Sequence, residues 1–293
     1  MKKIVHLSDL HFGRVDAGLV EPLVAAVNEA EPSLVVVSGD LTQRARSGQF
    51  EEARAFLDRL PKPQVVVPGN HDVPLYDVYS RFARPLDKWR RHISEEVEPV
   101  YEDEEMVVAG VNTARSLTRK YGRVNERQVE RLRERLCAYP AGVLKVVVTH
   151  HPFDLPAGAD EREIVGRAQT AMEALAACGA DLLLAGHLHV SQTGRTAERY
   201  KIQGHSALYV QAGTATSTRG RGEANSFNLI RLKRPYIQVE RRVWHAEAAG
   251  FRAANAETFR HTPDGWERLP EEAAAGVTFD EGGTGLQPHI PEQ

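Results

Sequence analysis

Leu184-Ala185-Gly186-His187-Leu188-His189 closes an apolar run that begins at Leu182, just after Asp181. The run reads as a buried strand, so the His-Leu-His tripeptide leaves its C-terminal end. Open α/β sheets bind ligands at that edge. Two imidazoles placed there could each take a metal ion. Paired surface histidines are common, so the tripeptide decides nothing alone. Four other clusters in the chain change its meaning.

Working back to the start, Ile4 to Leu7 is a short apolar strand that ends in Ser8-Asp9-Leu10-His11. Val20, Leu23, Val24 and Val27 then repeat at helical spacing. Leu34-Val35-Val36-Val37, bounded by Pro32 and Gly39, is the next strand, and it ends in Ser38-Gly39-Asp40. Ser47 can cap a helix with the stripe Phe50, Ala53, Leu57 and Leu60, stopped by Pro61 and Pro63. Val65-Val66-Val67 ends in Pro68-Gly69-Asn70-His71-Asp72. Strand, loop and helix in repetition predict a parallel or mostly parallel sheet with helices packed outside.

Residues 75–98 read as helix around Phe82, Leu86, Trp89 and Ile93. Met106 to Ala109 is a strand leading to Gly110-Val111-Asn112-Thr113. Asn125 caps a helix, with Gln128 at the capping-box position and Val129, Leu132 and Leu136 inward. Its arginines, 127, 131, 133 and 135, are interleaved with Glu126, Glu130 and Glu134, which favours a solvated, salt-bridged face over a nucleic-acid patch. Leu144 to Val148 is a strand ending in Thr149-His150-His151-Pro152, and Ala168 to Ala177 is a helix that Gly179 can end. Beyond the tripeptide, Leu208 to Val210, Phe227 to Leu232 and Tyr236 to Val243 read as an antiparallel meander, a candidate second sheet. The expected organisation is one domain over residues 1–269. An acidic tail rich in Gly, Ala and Pro follows over 270–293 and is expected to be poorly ordered.

The totals set limits. The chain has 293 residues, 42% hydrophobic and 26% charged, an ordinary globular composition with ample core. Net charge is −3, and five of the acids lie in the last 23 residues, so no basic field argues for a nucleic-acid partner. No signal-peptide core and no membrane-spanning run exists in the sequence. Cys137 and Cys178 both sit in helical segments and are expected to be reduced thiols, which fits a cytoplasmic location.

The strand ends collect Asp9 and His11, Asp40, Asn70 and His71, His150, and His187 and His189. Two carboxylates, one amide oxygen and four imidazoles, with His71 set apart, exceed the needs of one tetrahedral ion and suit two ions that share a ligand. Only a carboxylate bridges two cations easily. Asp40 is the natural bridge, because Gly39 lets its backbone sit close and Asp9 already has His11 as a neighbour.

Asp9-Leu10-His11, Gly39-Asp40-Leu41-Thr42, Gly69-Asn70-His71-Asp72, His150-His151-Pro152 and Gly186-His187-Leu188-His189 together resemble the five blocks of the calcineurin-like metallophosphoesterases, in order and spacing, over residues 1–245. The resemblance implies an α/β (α+β) fold: a four-layer αββα sandwich of two mixed β-sheets flanked by helices, with a dinuclear centre between the sheets. It implies a first metal on Asp9, His11, Asp40 and His189, and a second on Asp40, Asn70, His150 and His187. The family pattern favours His150 over His151. His71, with Asn70, would lie beside the substrate phosphate. Asp72 could orient an imidazole or be a plain turn carboxylate. Gln43 stands where many members carry an acid, a position that is not a direct ligand.

The implied activity is hydrolysis of a small phosphodiester, such as a cyclic nucleotide or a glycerophosphodiester, by hydroxide generated at two Mn, Fe or Zn ions. Asp40 and His71 would be the catalytic residues, and a homodimer could form. A DNA exonuclease of the same family is the second enzymatic reading. A protein-binding scaffold that has lost catalysis is the third, and the complete donor set speaks against it.

Overall fold

A computed structural model describes residues 1–156, 158–219 and 222–279. Its strands are β1 (Lys2–Leu7), β2 (Leu34–Ser38), β3 (Gln64–Val67), β4 (Val100–Glu102), β5 (Met106–Gly110), β6 (Leu144–Val148) and β7 (Leu182–Ala185). β8 (Gln192–Arg195), β9 (Leu208–Gln211), β10 (Ser226–Lys233), β11 (Tyr236–His245), β12 (Gly250–Thr262) and β13 (Gly265–Arg268) complete them. The helices are α1 (Ala17–Glu29), α2 (Ser47–Leu57), α3 (Val78–Ala83), α4 (Asp87–His92), α5 (Glu126–Cys137), α6 (Ala168–Ala177) and α7 (Glu271–Ala274).

Runs such as Leu34-Val35-Val36-Val37 are buried on both faces, and that creates the layers. Along β1, β2, β5, β6 and β7, alternate residues point to opposite faces. Ile4, Leu34, Val36, Val108, Val146, Leu182 and Leu184 meet in a core between two sheets. Val5, Leu7, Val35 and Val37 pack outward against Leu23 and Val27 of α1 and Phe50 and Phe56 of α2. Val107, Val147 and Leu183 pack outward against Leu132 and Leu136 of α5 and Met172 and Leu175 of α6. The result is helix, sheet, sheet, helix.

The first sheet runs β13-β12-β11-β10-β1-β2-β3 and the second β4-β5-β6-β7-β9-β8. Both are mixed. β1, β2 and β3 are parallel, and β10 joins β1 antiparallel. β5, β6, β7 and β9 are parallel, with antiparallel β4 and β8 at the edges.

Four expectations are corrected here. The C-terminal strands do not make a sheet of their own: β9 completes the second sheet beside β7, while β10 to β13 extend the first beside β1. The segment 75–98 is two short helices, because Pro85 lacks an N–H and Arg84 before it leaves the helical region (φ −146°, ψ 58°). Phe82, expected to point inward, is exposed. The cysteines are not free thiols. Cys137 ends α5, Cys178 caps α6, and the packing of these helices brings their Cα atoms to 4.6 Å, where the sulfurs are bonded as a disulfide.

Two of the four α5 arginines are paired as expected of a solvated face, Arg133 with Glu130 and Arg131 with Glu98. In the 270–293 segment, α7 forms one helical turn and Lys233 Nζ donates to the Thr278 carbonyl at 3.1 Å. Residues 280–293 lie outside the described residues.

Candidate metal centre

All the parallel strands of the two sheets end at one edge, and the loops that follow them meet there. Backbone bonds lace the loops together: His11 N to Asp40 O at 2.9 Å, and Gly186 N to His150 O at 3.1 Å. The approach is close. A Cβ on Gly39, whose φ is +90°, would lie 2.6 Å from His150 Nδ1, and one on Gly186 would lie 1.8 Å from Ser8 Oγ. Asp72 clamps the loop after β2 to the loop after β3. It accepts from Leu41 N (3.1 Å), Thr42 N (2.8 Å) and Gly69 N (2.9 Å). It is therefore a structural carboxylate that orients backbone rather than an imidazole. Burial and the nearby Asp40 push it up to about 6.

Nine non-glycine residues have left-handed backbone among the described residues, and five of them are Asp9, His11, Asp40, His187 and His189. That conformation costs an L-residue free energy and persists where the surroundings enforce it, typically at functional sites.

The side chains form two clusters. In the first, Asp9 Oδ1 lies 3.5 Å from both His11 Nε2 and His189 Nε2, and Asp40 Oδ2 is 3.7 Å from His11 Nε2. In the second, Asn70 Oδ1 lies 3.0 Å from His150 Nε2 and 3.1 Å from His187 Nδ1, and Asp40 Oδ1 is 3.4 Å from His150 Nε2. Asp40 thus turns one oxygen to each cluster.

These residues fit metal ions. Asp9 Oδ1 and both ring nitrogens of His11 are buried without a hydrogen-bond partner. Such orphans are costly unless a cation receives them. The other atoms of the donor groups are already engaged, which fixes how each group faces. Asp9 Oδ2 accepts from Ser8 Oγ (2.7 Å) and His187 N (3.0 Å). His150 Nδ1 donates to Ser38 O (2.8 Å), and His189 Nδ1 meets Thr214 Oγ1 (2.6 Å). His187 Nε2 is 2.9 Å from Glu163 Oε2. Hydrogen bonds of this kind set the tautomer of a metal-binding histidine.

Burial pushes the Asp9 and Asp40 carboxyls up, but the imidazoles around them more than offset it and hold both below the usual carboxylate range. Burial pushes His150 down, yet the facing Asp40 and Asp9 raise it to about 9. For His189 burial wins and lowers it to about 4, leaving a neutral ring.

His151 faces away. Its Nδ1 meets Thr113 Oγ1 and its Nε2 meets Lys120 O, each at 2.8 Å. His71 stands beside the clusters, its ring edge-on to His11 at 4.9 Å. Its Nδ1 donates to Gln43 O at 2.9 Å, which leaves Nε2 to accept from Arg219 Nη1 at 2.9 Å. Its backbone N–H donates to Asp40 Oδ1 at 2.8 Å.

A model of the calcineurin-like phosphoesterase family matches residues 2–191. The chain belongs to this family. The chain is also 35% identical over 95 residues to the glycerophosphodiester phosphodiesterase GpdQ of Enterobacter lignolyticus (strain SCF1), a stretch that covers 28% of this chain and 33% of that protein. It therefore spans about a third of the length of that relative. A dimetal phosphatase from Danio rerio superposes with a TM-score of 0.62 at 15% identity, over 83% of this chain and 96% of that one. A purple acid phosphatase from yellow lupin (Lupinus luteus) seeds superposes with a TM-score of 0.66 at 12% identity, over 88% and 53%. These two show that the chain shares their fold.

Three groups of the site are missing from the reading of the sequence. Glu163 lies in the charged run Asp160-Glu161-Arg162-Glu163, which looks solvated, yet it is buried against His187 and paired with Lys120. Thr214 follows β9 and obeys the same strand-end rule as the donors, so a signal for it existed. Arg44, from the loop after β2, reaches to 3.2 Å from His71 Nδ1.

Proposed function

We propose that each cluster holds one transition-metal ion, Mn, Fe or Zn, with Asp40 shared between them. The first ion would sit on Asp9, His11, Asp40 and His189, and the second on Asp40, Asn70, His150 and His187. The single observation that carries this is the split of the Asp40 carboxylate, with Oδ2 toward His11 and Oδ1 toward His150. Two such ions, when bound, neutralise phosphoryl oxygens and supply an activated water.

The chain's own residues supply the rest. Asn70 gives a neutral donor, so the second cluster keeps more net positive charge for an anionic substrate. His71, whose N–H donates to Asp40 Oδ1, and Arg219, which donates to His71 Nε2, lie side by side, and a phosphoryl group would lie next to them. Arg219 can turn its fork from His71 Nε2 to a phosphoryl oxygen. His71, kept neutral by burial in spite of Asp40, can then take up a proton from solvent at Nε2 and pass it to the leaving oxygen.

The substrate in this proposal is a small phosphodiester, such as a cyclic nucleotide or a glycerophosphodiester, in keeping with the local similarity to GpdQ. The catalytic unit is residues 1–269, with the 270–293 segment outside it. Nucleic acid and membrane have no part in the proposal, and among the described residues no helix is long and apolar enough to cross a membrane.

The test is hydrolysis of a chromogenic phosphodiester by the purified chain with added Mn²⁺, against an EDTA-treated control and the matching monoester. Metal-dependent turnover that favours the diester is expected. Silence with Mn, Fe and Zn alike would leave the non-catalytic scaffold as the better reading.

A further inference from the structure

Asp181, just before β7, is buried, and both its oxygens are engaged. Oδ2 accepts from Lys145 N (2.9 Å), and Oδ1 accepts from Arg234 Nη2 (2.6 Å) and Trp266 Nε1 (3.0 Å). These bonds tie the start of β6 and β7 to the β10–β11 turn and to β13. They join the two sheets at the edge opposite the metal centre.

Beside them opens a cleft of about 400 Å³, within the size range of small-molecule sites. Lys145, Arg234, His205, Ser206 and His261 line it, and among the described residues Asp181 is its one carboxylate. The walls thus hold two cations and one anion, and that anion is already saturated with donors. Lys145 Nζ donates to a neutral acceptor, Cys178 O, at 2.6 Å. Burial holds His205 and His261 below the usual imidazole range, so both rings are neutral near pH 7 and each keeps one N–H to donate.

Donors on these walls lack acceptors. Arg234 bonds through Nη2, and its Nε and Nη1 have no partner among the described residues. The same holds for the ring nitrogens of His205 and His261 and for Ser206 Oγ. Ser206 is only 6% exposed, and buried polar atoms without partners are costly. Its loop is nevertheless fixed. Trp266 N donates to Ser206 O at 2.8 Å, and a Cβ on Gly265 would lie 2.4 Å from Ser206 N. The Arg234 guanidinium, 6.0 Å over the Trp266 ring, is 27% exposed at the cleft.

A cation would be repelled by Arg234 and Lys145, and a neutral sugar would leave their charge unanswered. An oxyanion brings acceptors only, and bonds from a guanidinium to it are charge-assisted. We propose that this cleft binds a small oxyanion, a carboxylate or phosphoryl group on a compact organic body. Arg234 is its anchor, and His205 and Ser206 are further donors. The site is separate from the metal centre and does not depend on it. Asp181 precedes β7 and His187 follows it, about 13 Å of strand away at 3.3 Å per residue.

The test follows the indole N–H signals of the ¹⁵N-labelled full chain by NMR. Trp266 is the one tryptophan on this cleft, whereas Trp89 and Trp244 belong to the core between the first sheet and its helices. The probes are succinate and inorganic phosphate, with chloride at matched ionic strength as the control. Succinate or phosphate should shift the Trp266 signal to saturation and leave the other two in place, and the tighter probe names the group the cleft takes. Arg234→Lys keeps a cation for Asp181 and should weaken binding about tenfold or more. His205→Ala, a loop change that spares the Asp181 bonds, should weaken it about two- to tenfold. No saturable shift with either probe, a shift that chloride matches, or an affinity that neither substitution changes would overturn the site.

Discussion

The two donor clusters are built from similar parts and are unlike in charge. The first gathers Asp9 and one oxygen of Asp40 around two imidazoles, and three of its atoms have no hydrogen-bond partner. The second replaces one carboxylate with the Asn70 amide, and its atoms already contact one another at 3.0 to 3.4 Å. A carboxylate-rich, closed cluster suits a resident ion held tightly. A cluster with a neutral donor suits an ion held more loosely and left more electrophilic. The shared Asp40 lets the pair differ without separating.

Asp40→Ala should have the largest effect. Elemental analysis should find neither ion, and turnover should vanish, whereas one full equivalent retained would break the claim that the carboxylate is shared. His71→Ala should keep both ions and slow cleavage of a poor leaving group by about 10²–10⁴-fold, the range of an acid catalyst. Unchanged turnover there would remove His71 from the chemistry. Glu163→Gln should weaken the second cluster's ion by about 10–100-fold and spare the first, because His187 is the one donor side chain that leans on that carboxylate. A two-phase metal titration reads this, and equal weakening of both phases would erase the contrast. Reducing the Cys137–Cys178 disulfide should leave both clusters alone, since Cys178 precedes β7 and the histidines follow it. Denaturant titration should show a loss of about 2–4 kcal/mol, and a thiol assay of the unreduced, unfolded chain should find no free thiol.

The donors were legible because each follows an apolar run, and a parallel strand buried on both faces announces its own end. His150 and His151 are adjacent in sequence; the family pattern favours His150, and the engagement of both His151 ring nitrogens by Thr113 and Lys120 agrees with it. Glu163 was illegible for the opposite reason: its neighbours are charged and solvated, and the fold alone carries it to His187. The meander was read correctly as strands, but period-two patterning says which face is buried and not which sheet a strand joins. The two cysteines are 41 residues apart, and no spacing rule could show that α5 and α6 place them side by side. Pro85 was visible in the sequence, and its effect on the 75–98 helix follows from its missing N–H alone.

Asp9, His11, Asp40 and Asn70 leave the first sheet, whereas His150, His187 and His189 leave the second. An ion held among them, as proposed, would be a rivet through the seam between two stacked layers. It can bind only the state in which the layers are stacked, so occupancy and folding become one linked equilibrium. At a free metal concentration a hundred times the dissociation constant, that linkage is worth about 2.7 kcal/mol. The melting temperature should therefore climb with free metal and fall on chelation.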